Sequence, residues 1–371
     1  MDIQTARETH FSKGILCPHC QSPSIHGHGR MKPGSDRQRY KCQDCQRTFS
    51  DLTGTPFAYT KKPQSLWLEI ANLMREGKSV RKIAIILNID MTTAFYWRHR
   101  ILKALREHSS VGPLLSGIVE GDETFFRKSY KGGHFKNPDG TLMSKMDFQN
   151  RYGRWPRSRG GTHLRGRSED QVPVLVLRDR KQQTISKIMQ DMKSVTVKAT
   201  IVPVVSEDST LCTDSLNVYD IACREAGIAH KKVKPVKGYR VKEGIFHIQN
   251  INNYHGRLKN WISRFHGVST KYLPNYLAWH IYLDATKDVA PLQWEEPFLC
   301  SAVARPLDIS KQNLTLCGIC GNSVSTKDPV QKVLFHSLSG KKTEAVLHVS
   351  CLQIVDYLRA FPKGLSSGTK T

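Results

Sequence analysis

Two cysteine pairs, CPHC at Cys17 and Cys20 and CQDC at Cys42 and Cys45, constrain the first fifty residues more tightly than any other feature of the chain. The twenty-one residues between the pairs are rich in turn-forming and basic side chains and supply no hydrophobic core. Such a segment folds only if something else ties it together. Four thiolates at two tight corners offer Zn²⁺ the tetrahedral coordination it accepts, and the metal replaces the missing core. A redox dithiol, the alternative, leaves the second pair unexplained. Residues 1–57 are therefore expected to form a zinc ribbon, whose basic hairpin GRMKPGSDRQRYKC can meet backbone phosphates.

The remaining length bounds the architecture. A chain of 371 residues accommodates two or three domains, at least one with a sizeable core. Its formal charge of +24 favours a polyanionic partner, double-stranded DNA first among them. No uninterrupted apolar run of eighteen residues occurs, so a membrane partner is not expected. MDIQTARETHFSKG lacks the hydrophobic stretch of a secretory signal, which points to the cytoplasm and the nucleoid. Seven of the ten cysteines sit at metal-ligand spacing, while Cys212, Cys223 and Cys300 stand apart as small core residues.

Residues 62–108 hold three helical patterns joined by short turns, the helix-turn-helix arrangement. The third is expected to start at Thr92 or Thr93, to pack through Phe95, Ile101 and Leu102, and to offer Arg98, His99, Arg100 and Lys103 to DNA. A linker domain of three helices without DNA contacts is the alternative. Residues 115–290 alternate strands and helices, so an α/β domain is expected. It opens with the strand SGIVEGDETFF. Residues 127–167 then hold eleven Lys or Arg against two acids and read as a long basic loop that nucleic acid would order. VPVLVLRDR reads as a buried strand, TISKIMQDM as a helix, and STLCTDSLNVYDIACREAGI as a short strand ending in Asp214 followed by a helix. Residues 297–371 carry Cys317, Cys320, His348 and Cys351, a Cys₃His set for a second zinc, with His336 as a substitute for His348.

In HIQNINNYHGRLKNW, helical spacing puts Ile251, Tyr254, Leu258 and Trp261 on one stripe, with Phe265 just beyond. Asn252, Gly256 and Lys259 lie opposite, with His255 beside them and no acid among them. Asp122 and Asp214 interrupt otherwise buried strands. Alone, each is an ordinary strand-end residue. Together, in so basic a chain, they can hold Mg²⁺ (or Mn²⁺) beside a phosphodiester.

VEGDETFF, CTDSLNVYD and HIQNINNYHGRLKNWISRFHGVSTKYLPNYLAW resemble the three blocks of a bacterial insertion-sequence DDE transposase. RYKCQDCQRTFSDLTGTPF and DQVPVLVLRDR narrow the likeness to the branch with an N-terminal zinc ribbon. The resemblance implies an RNase H-like fold, two divalent metals, cleavage and strand transfer, and at least a dimer on DNA. Asp122 falls on the first acidic position and Asp214 on the second. The third, ordinarily Glu, falls on Asn252, while Lys259, with Arg257 nearby, falls where a DNA contact is expected. Asn offers a metal its carbonyl oxygen but no negative charge. Three explanations stand: an Asp-Asp-Asn lineage, help from His255 or Glu243, or a domesticated DNA-binding regulator without activity. An RNA-processing factor would fit the charge but leave the Asp pair without a role.

Overall fold

The computed structural model describes residues 2–12, 14–63, 65–109, 114–129, 141, 143–152, 171–233, 241–290 and 293–304, together with four short strands beyond residue 314. Two compact units divide the chain, Met1–Leu307 and Asp308–Thr371.

The first unit begins with helix α1 (Ile3–His10), capped by Asp2, whose carboxylate accepts from the Thr5 amide at 2.7 Å. Strands β1 (Ile25–Arg30), β2 (Gln38–Cys42) and β3 (Thr48–Ser50) form an antiparallel sheet. Its core is small: Cys17, Tyr40, Cys42 and Phe49 are buried, with Phe11, Ile15 and Ile25 packed around them. Asp51, fully buried, takes Arg7 Nε at 2.9 Å and the Tyr40 hydroxyl at 3.0 Å, so α1 is stapled to the sheet. Burial, with Asp51 alongside, pushes the Tyr40 hydroxyl up to about 12, which keeps it a hydrogen-bond donor.

Helices α2 (Ser65–Arg75), α3 (Val80–Ile86) and α4 (Met91–Ser109) follow. Ser79 caps α3 by accepting from the Lys82 amide. The third helix starts at Met91, one or two residues before the expected threonines.

The central sheet has the order β6–β5–β4–β7–β8. It comprises β4 (Ile118–Arg127), β5 (Gln171–Asp179), β6 (Thr184–Ile188), β7 (Thr210–Thr213) and β8 (Ala229–Lys232). β5 runs antiparallel to both β4 and β6, while β7 and β8 run parallel to β4. Helix α5 (Lys145–Tyr152) lies between β4 and β5, α6 (Ser194–Ile201) between β6 and β7, and α7 (Asn217–Ala226) between β7 and β8. One face of the sheet packs on α6 and α7 through Val119, Leu175, Leu177, Leu211, Tyr219 and Cys223. The other meets α8 (Gln249–Ser263) and α9 (Leu273–Ala285).

Two expectations are corrected here. TISKIMQDM does not form a helix: Thr184–Ile188 is edge strand β6, returned by a turn in which Gln182 adopts φ 66° and the Asp179 amide bonds the Gln183 carbonyl. Its Thr and Ile side chains suit an extended edge, and pairing with β5 overrides the apolar spacing that read as helical. Residues 127–167 are not loop throughout, because α5 lies inside them. There, Ser144 and Asp147 cap one another and Phe148 is buried. Within that segment, 130–140, 142 and 153–167 lie outside the described residues.

Helix α10 (Glu295–Val303) packs against α1, α2 and α4, so it belongs with the N-terminal helices and not with a C-terminal module starting at 297. In the second unit, β9 (Thr315–Leu316) pairs with β10 (Ser323–Val324) and β11 (Val330–His336) with β12 (Lys342–His348), both antiparallel. His348 ends β12, while Cys317, Cys320 and Cys351 lie outside the described residues. Among the described residues, no helix is long and apolar enough to cross a membrane.

Candidate active site

The parallel pairing of β4 with β7 runs Ile118↔Thr210, Val119↔Leu211, Glu120↔Cys212. Carrying that register on by two residues sets Asp122 abreast of Asp214, which follows directly on β7. Both carboxylates act on one buried group. The Tyr219 hydroxyl donates to Glu123 Oε2 at 2.7 Å, and burial first, then Glu123, Asp122 and Asp214, raise it well above the ordinary tyrosine range. Gly121 lets the neighbouring strands close over β4: a Cβ there would lie 3.1 Å from Leu177 Cδ2 and 3.4 Å from Leu211 Cδ1. A hydrogen-bonded line also reaches Asp214. Asp220 Oδ1 and His230 Nδ1 lie 2.9 Å apart, His230 Nε2 and Thr213 Oγ1 2.9 Å, and Thr213 Oγ1 donates to the Asp214 carbonyl at 2.9 Å.

Side chains alternate along a strand, so Glu120 and Asp122 share the face toward α8. His255 Nδ1 stands 3.4 Å from Asp122 Oδ2, and the imidazole is 8% exposed. Its Nε2 is buried without a hydrogen-bond partner among the described residues. As expected, Ile251, Tyr254, Leu258 and Trp261 are buried while Asn252, Gly256 and Lys259 are exposed. The exposed face of α8 therefore presents an amide, a bare glycine and a lysine. Glu243 is held elsewhere, on Lys231 Nζ at 2.9 Å, which leaves His255 as the nearer neighbour of the two considered for the third position.

Several groups here escaped sequence reasoning. Glu120, 1% exposed, accepts from the Ile251 amide at 2.9 Å, Asn250 Nδ2 at 2.9 Å and Arg180 Nη1 at 2.5 Å. The period-two spacing of Glu120 and Asp122 could have flagged it. Asp284 on α9 joins Arg178 of β5, at 2.8 Å, to Arg257 of α8, also at 2.8 Å. Burial would raise the Asp284 carboxyl, but Arg257 and Arg178 more than offset it and hold it below the usual range. Two arginines on one carboxylate lock α8 and α9 onto the sheet, and Arg257 is committed at least partly to that pairing.

The residues expected to meet DNA divide. Lys259 is exposed, and Lys103 is half-buried. Arg100 is half-buried and donates to the Ala58 carbonyl at 3.1 Å. Arg98 is corrected: only 1% exposed, it donates to the Lys78 carbonyl and lies 5.2 Å above the Trp279 ring. His99 is corrected too. It stacks on Tyr272 at 4.1 Å, and burial, with Arg98 and Lys271 nearby, pushes it down to about 3, so it is neutral at pH 7. Sequence alone could not tell which basic side chains of α4 face α9. Arg98→Met should lower thermal stability by about 1–3 kcal/mol, through the lost cation–π contact and the unpaired Lys78 carbonyl. The salt dependence of DNA binding should stay unchanged. A shallower salt slope with unaltered melting would return Arg98 to the DNA.

The four N-terminal thiols meet as the spacing requires. All lie within 4.8 Å of one another, with Cys17 and Cys45 at 3.6 Å and Cys20 and Cys42 at 3.6 Å. Thiolates about 2.3 Å from a tetrahedral Zn²⁺ stand about 3.8 Å apart, so the cluster fits zinc.

Residues 114–282 match the family described as the ISXO2-like transposase domain. The uncharacterized protein in transposable element ISH50 of Halobacterium salinarum is 29% identical over 275 residues, covering 72% of this chain and 84% of that protein. Both likenesses support an insertion-sequence DDE transposase. Solved structures of Mos1 are only distantly similar. A pre-cleavage Mos1 transpososome reaches 9% identity and a TM-score of 0.22 over 66% of this chain and 81% of that one. The Mos1 mariner paired end complex with Mn reaches 10% and 0.20 over the same shares. At those scores the fold rests on this chain's own strand order.

Proposed function

We propose that the chain is a DNA transposase that binds the terminal repeats of its insertion sequence and carries out metal-dependent cleavage and strand transfer. The observation that carries this is the parallel pairing of β4 with β7, whose register, extended two residues past Glu120↔Cys212, would bring Asp122 against Asp214, with His255 of α8 3.4 Å from Asp122. A central β4 antiparallel to β5 and parallel to β7 supports an RNase H-like core.

Asp122, Asp214 and the Asn252 carbonyl are hard oxygen donors of the kind Mg²⁺ or Mn²⁺ accepts, and they fit such a site. Divalent cations bound there would activate the attacking oxygen and stabilise the leaving one. Gly256, where a Cβ would meet nothing within 4 Å, leaves room for a phosphodiester to approach the helix. Lys259 lies on the same face and would pair with a phosphate. Water attacks first and frees a 3′-OH. That hydroxyl then attacks target DNA in line, so the phosphodiester broken in the target is replaced by the one joined to the element. The ribbon and helix-turn-helix would read the ends, with Lys103 and Arg100 of α4 contributing. Joining two ends calls for at least two copies, at work on the nucleoid in the cytoplasm.

The uncharged Asn252 favours a second reading, a DNA-binding regulator with an inactive core. A marker between the DNA ends that flank this gene, with the protein supplied in trans, separates the two. Wild type should give insertions, and Asn252→Ala should reduce them about tenfold to a hundredfold, the cost of one lost ligand. Retained end binding without insertions from wild type would establish the regulator instead.

A further inference from the structure

Helix α8 carries the third catalytic position one turn from its start, and the local hold on that start is slight: His247 Nδ1 accepts from the Gln249 amide at 3.3 Å. Its N-cap is Ile248, which has no side-chain oxygen, and no acid stands in its first turn. The first amides of any helix lack intrahelical acceptors and need a partner from outside. In α8 the Ile251 amide finds one 131 residues away in sequence, at Glu120 Oε2 on central strand β4. Glu120 Oε1 takes Asn250 Nδ2, so two consecutive residues of the first turn hang on one carboxylate. Negative charge at a helix N-terminus is also favourable in itself.

The carboxylate is held in turn. Arg180, beyond the end of β5, gives Nη1 to Glu120 Oε1 and Nη2 to the Ile245 carbonyl at 2.9 Å. The same guanidinium meets His247, 3.0 Å from its Nε2, and His247 Nδ1 lies 3.4 Å from Glu120. The approach to α8 and its first turn are thus tied to the strand that carries Asp122, two residues beyond Glu120 on the same face. Asn252 follows Ile251 directly.

We propose that Glu120 is the positioning residue of the third catalytic position, supplying the Ile251 amide with the acceptor that Ile248 cannot offer and fixing the turn that presents Asn252 to Asp122. This rests on the transposase reading for its catalytic consequence, though the anchor itself does not. It assigns Glu120 no contact with substrate or metal. Glutamine keeps a carbonyl oxygen for the Ile251 amide but loses the charge that holds Arg180, whereas leucine keeps neither.

The test uses the full-length zinc-loaded chain. Single-turnover cleavage of end DNA and the Kd for that DNA are measured for wild type, Glu120→Gln and Glu120→Leu, with amide exchange followed in β4, β5 and α8. A misplacement of about 1 Å can cost about a hundredfold in rate, so Glu120→Leu should lose that much and Glu120→Gln about tenfold. The Kd should stay unchanged. Exchange at residues 250–253 should quicken while the amides of β4 and β5 remain protected. Fast exchange at full cleavage rate would reduce Glu120 to a structural cap. Slow cleavage with unaltered exchange, or a raised Kd, would give it a direct role and overturn positioning. Equal loss of protection in β4 and β5 would mean a fold-wide effect and would also overturn it. A wild-type protein that cleaves nothing would sink the transposase reading alone, and faster exchange at 250–253 would still uphold the anchor.

Discussion

Alanine at Asp122 or at Asp214 is expected to lower cleavage of the element's ends about a thousandfold while leaving their binding intact. A pair of carboxylates that positions divalent cations contributes several kcal/mol to the transition state, and about 4 kcal/mol corresponds to that factor. Neither change should unfold the protein. Asp122 stands on the α8 face, away from the cluster that Val119, Leu177, Leu211 and Tyr219 form with α6 and α7. Both carboxylates help raise the buried Tyr219 hydroxyl, a sign of negative charge concentrated at this end of the sheet. Removing Asp122 should therefore leave the melting temperature unchanged or higher even as activity disappears, a trade-off usual at active sites. Asp214→Ala also gives up the bond from the Leu216 amide at 3.1 Å and should melt slightly lower. Cleavage of radiolabelled ends, a binding titration and a thermal melt on the same preparations decide the matter. Lost cleavage accompanied by a lower melting temperature in Asp122→Ala would make that acid structural and end the metal-site assignment.

The sequence revealed most where chemistry demands a fixed spacing and least where tertiary contacts choose among equals. The thiols of Cys17, Cys20, Cys42 and Cys45 do gather, because two tight corners leave them little choice. The apolar stripe of α8 was legible from its period, and so was β7 running into Asp214. Helix α6 was not, since five of the eight residues in SVTVKATI are β-branched and local propensity argues for a strand. Packing of Val197 and Ile201 into the core overrides that preference. The basic residues of α4 were misjudged for another reason. Arg and His look alike in sequence whether they face a phosphate or, like Arg98 and His99, an aromatic cluster on α9. The spacing puts Glu120 on the Asp122 face, but its role as a cap was not legible, because the turn it holds lies 131 residues downstream.

Removing zinc should unfold the ribbon and spare the central sheet. The two differ in what holds them. The ribbon buries Tyr40 and Phe49 beside its cysteines, with Phe11, Ile15 and Ile25 partly covered, which is too little apolar surface to order some forty residues. Structural Zn²⁺ supplies about 10–16 kcal/mol to such a unit, far more than that cluster can replace. The sheet has a contiguous core of its own and needs no metal for it. A strong chelator, or Cys42→Ser, should therefore abolish amide protection in β1 to β3 and leave β4 and β5 protected. The Arg7–Asp51 pair should fail with the ribbon, since Asp51 is fixed by β2 through the Gln38 amide and the Tyr40 hydroxyl. Release should also become easier as the pH falls, because each thiolate must be deprotonated to bind and protons compete with the metal. Zinc counted per chain before and after Cys42→Ser should fall by one, and any zinc left over would belong to the Cys317, Cys320, His348 and Cys351 set. Ribbon amides that stay protected after complete loss of metal would show a core sufficient without it, and would return the cysteine pairs to redox chemistry.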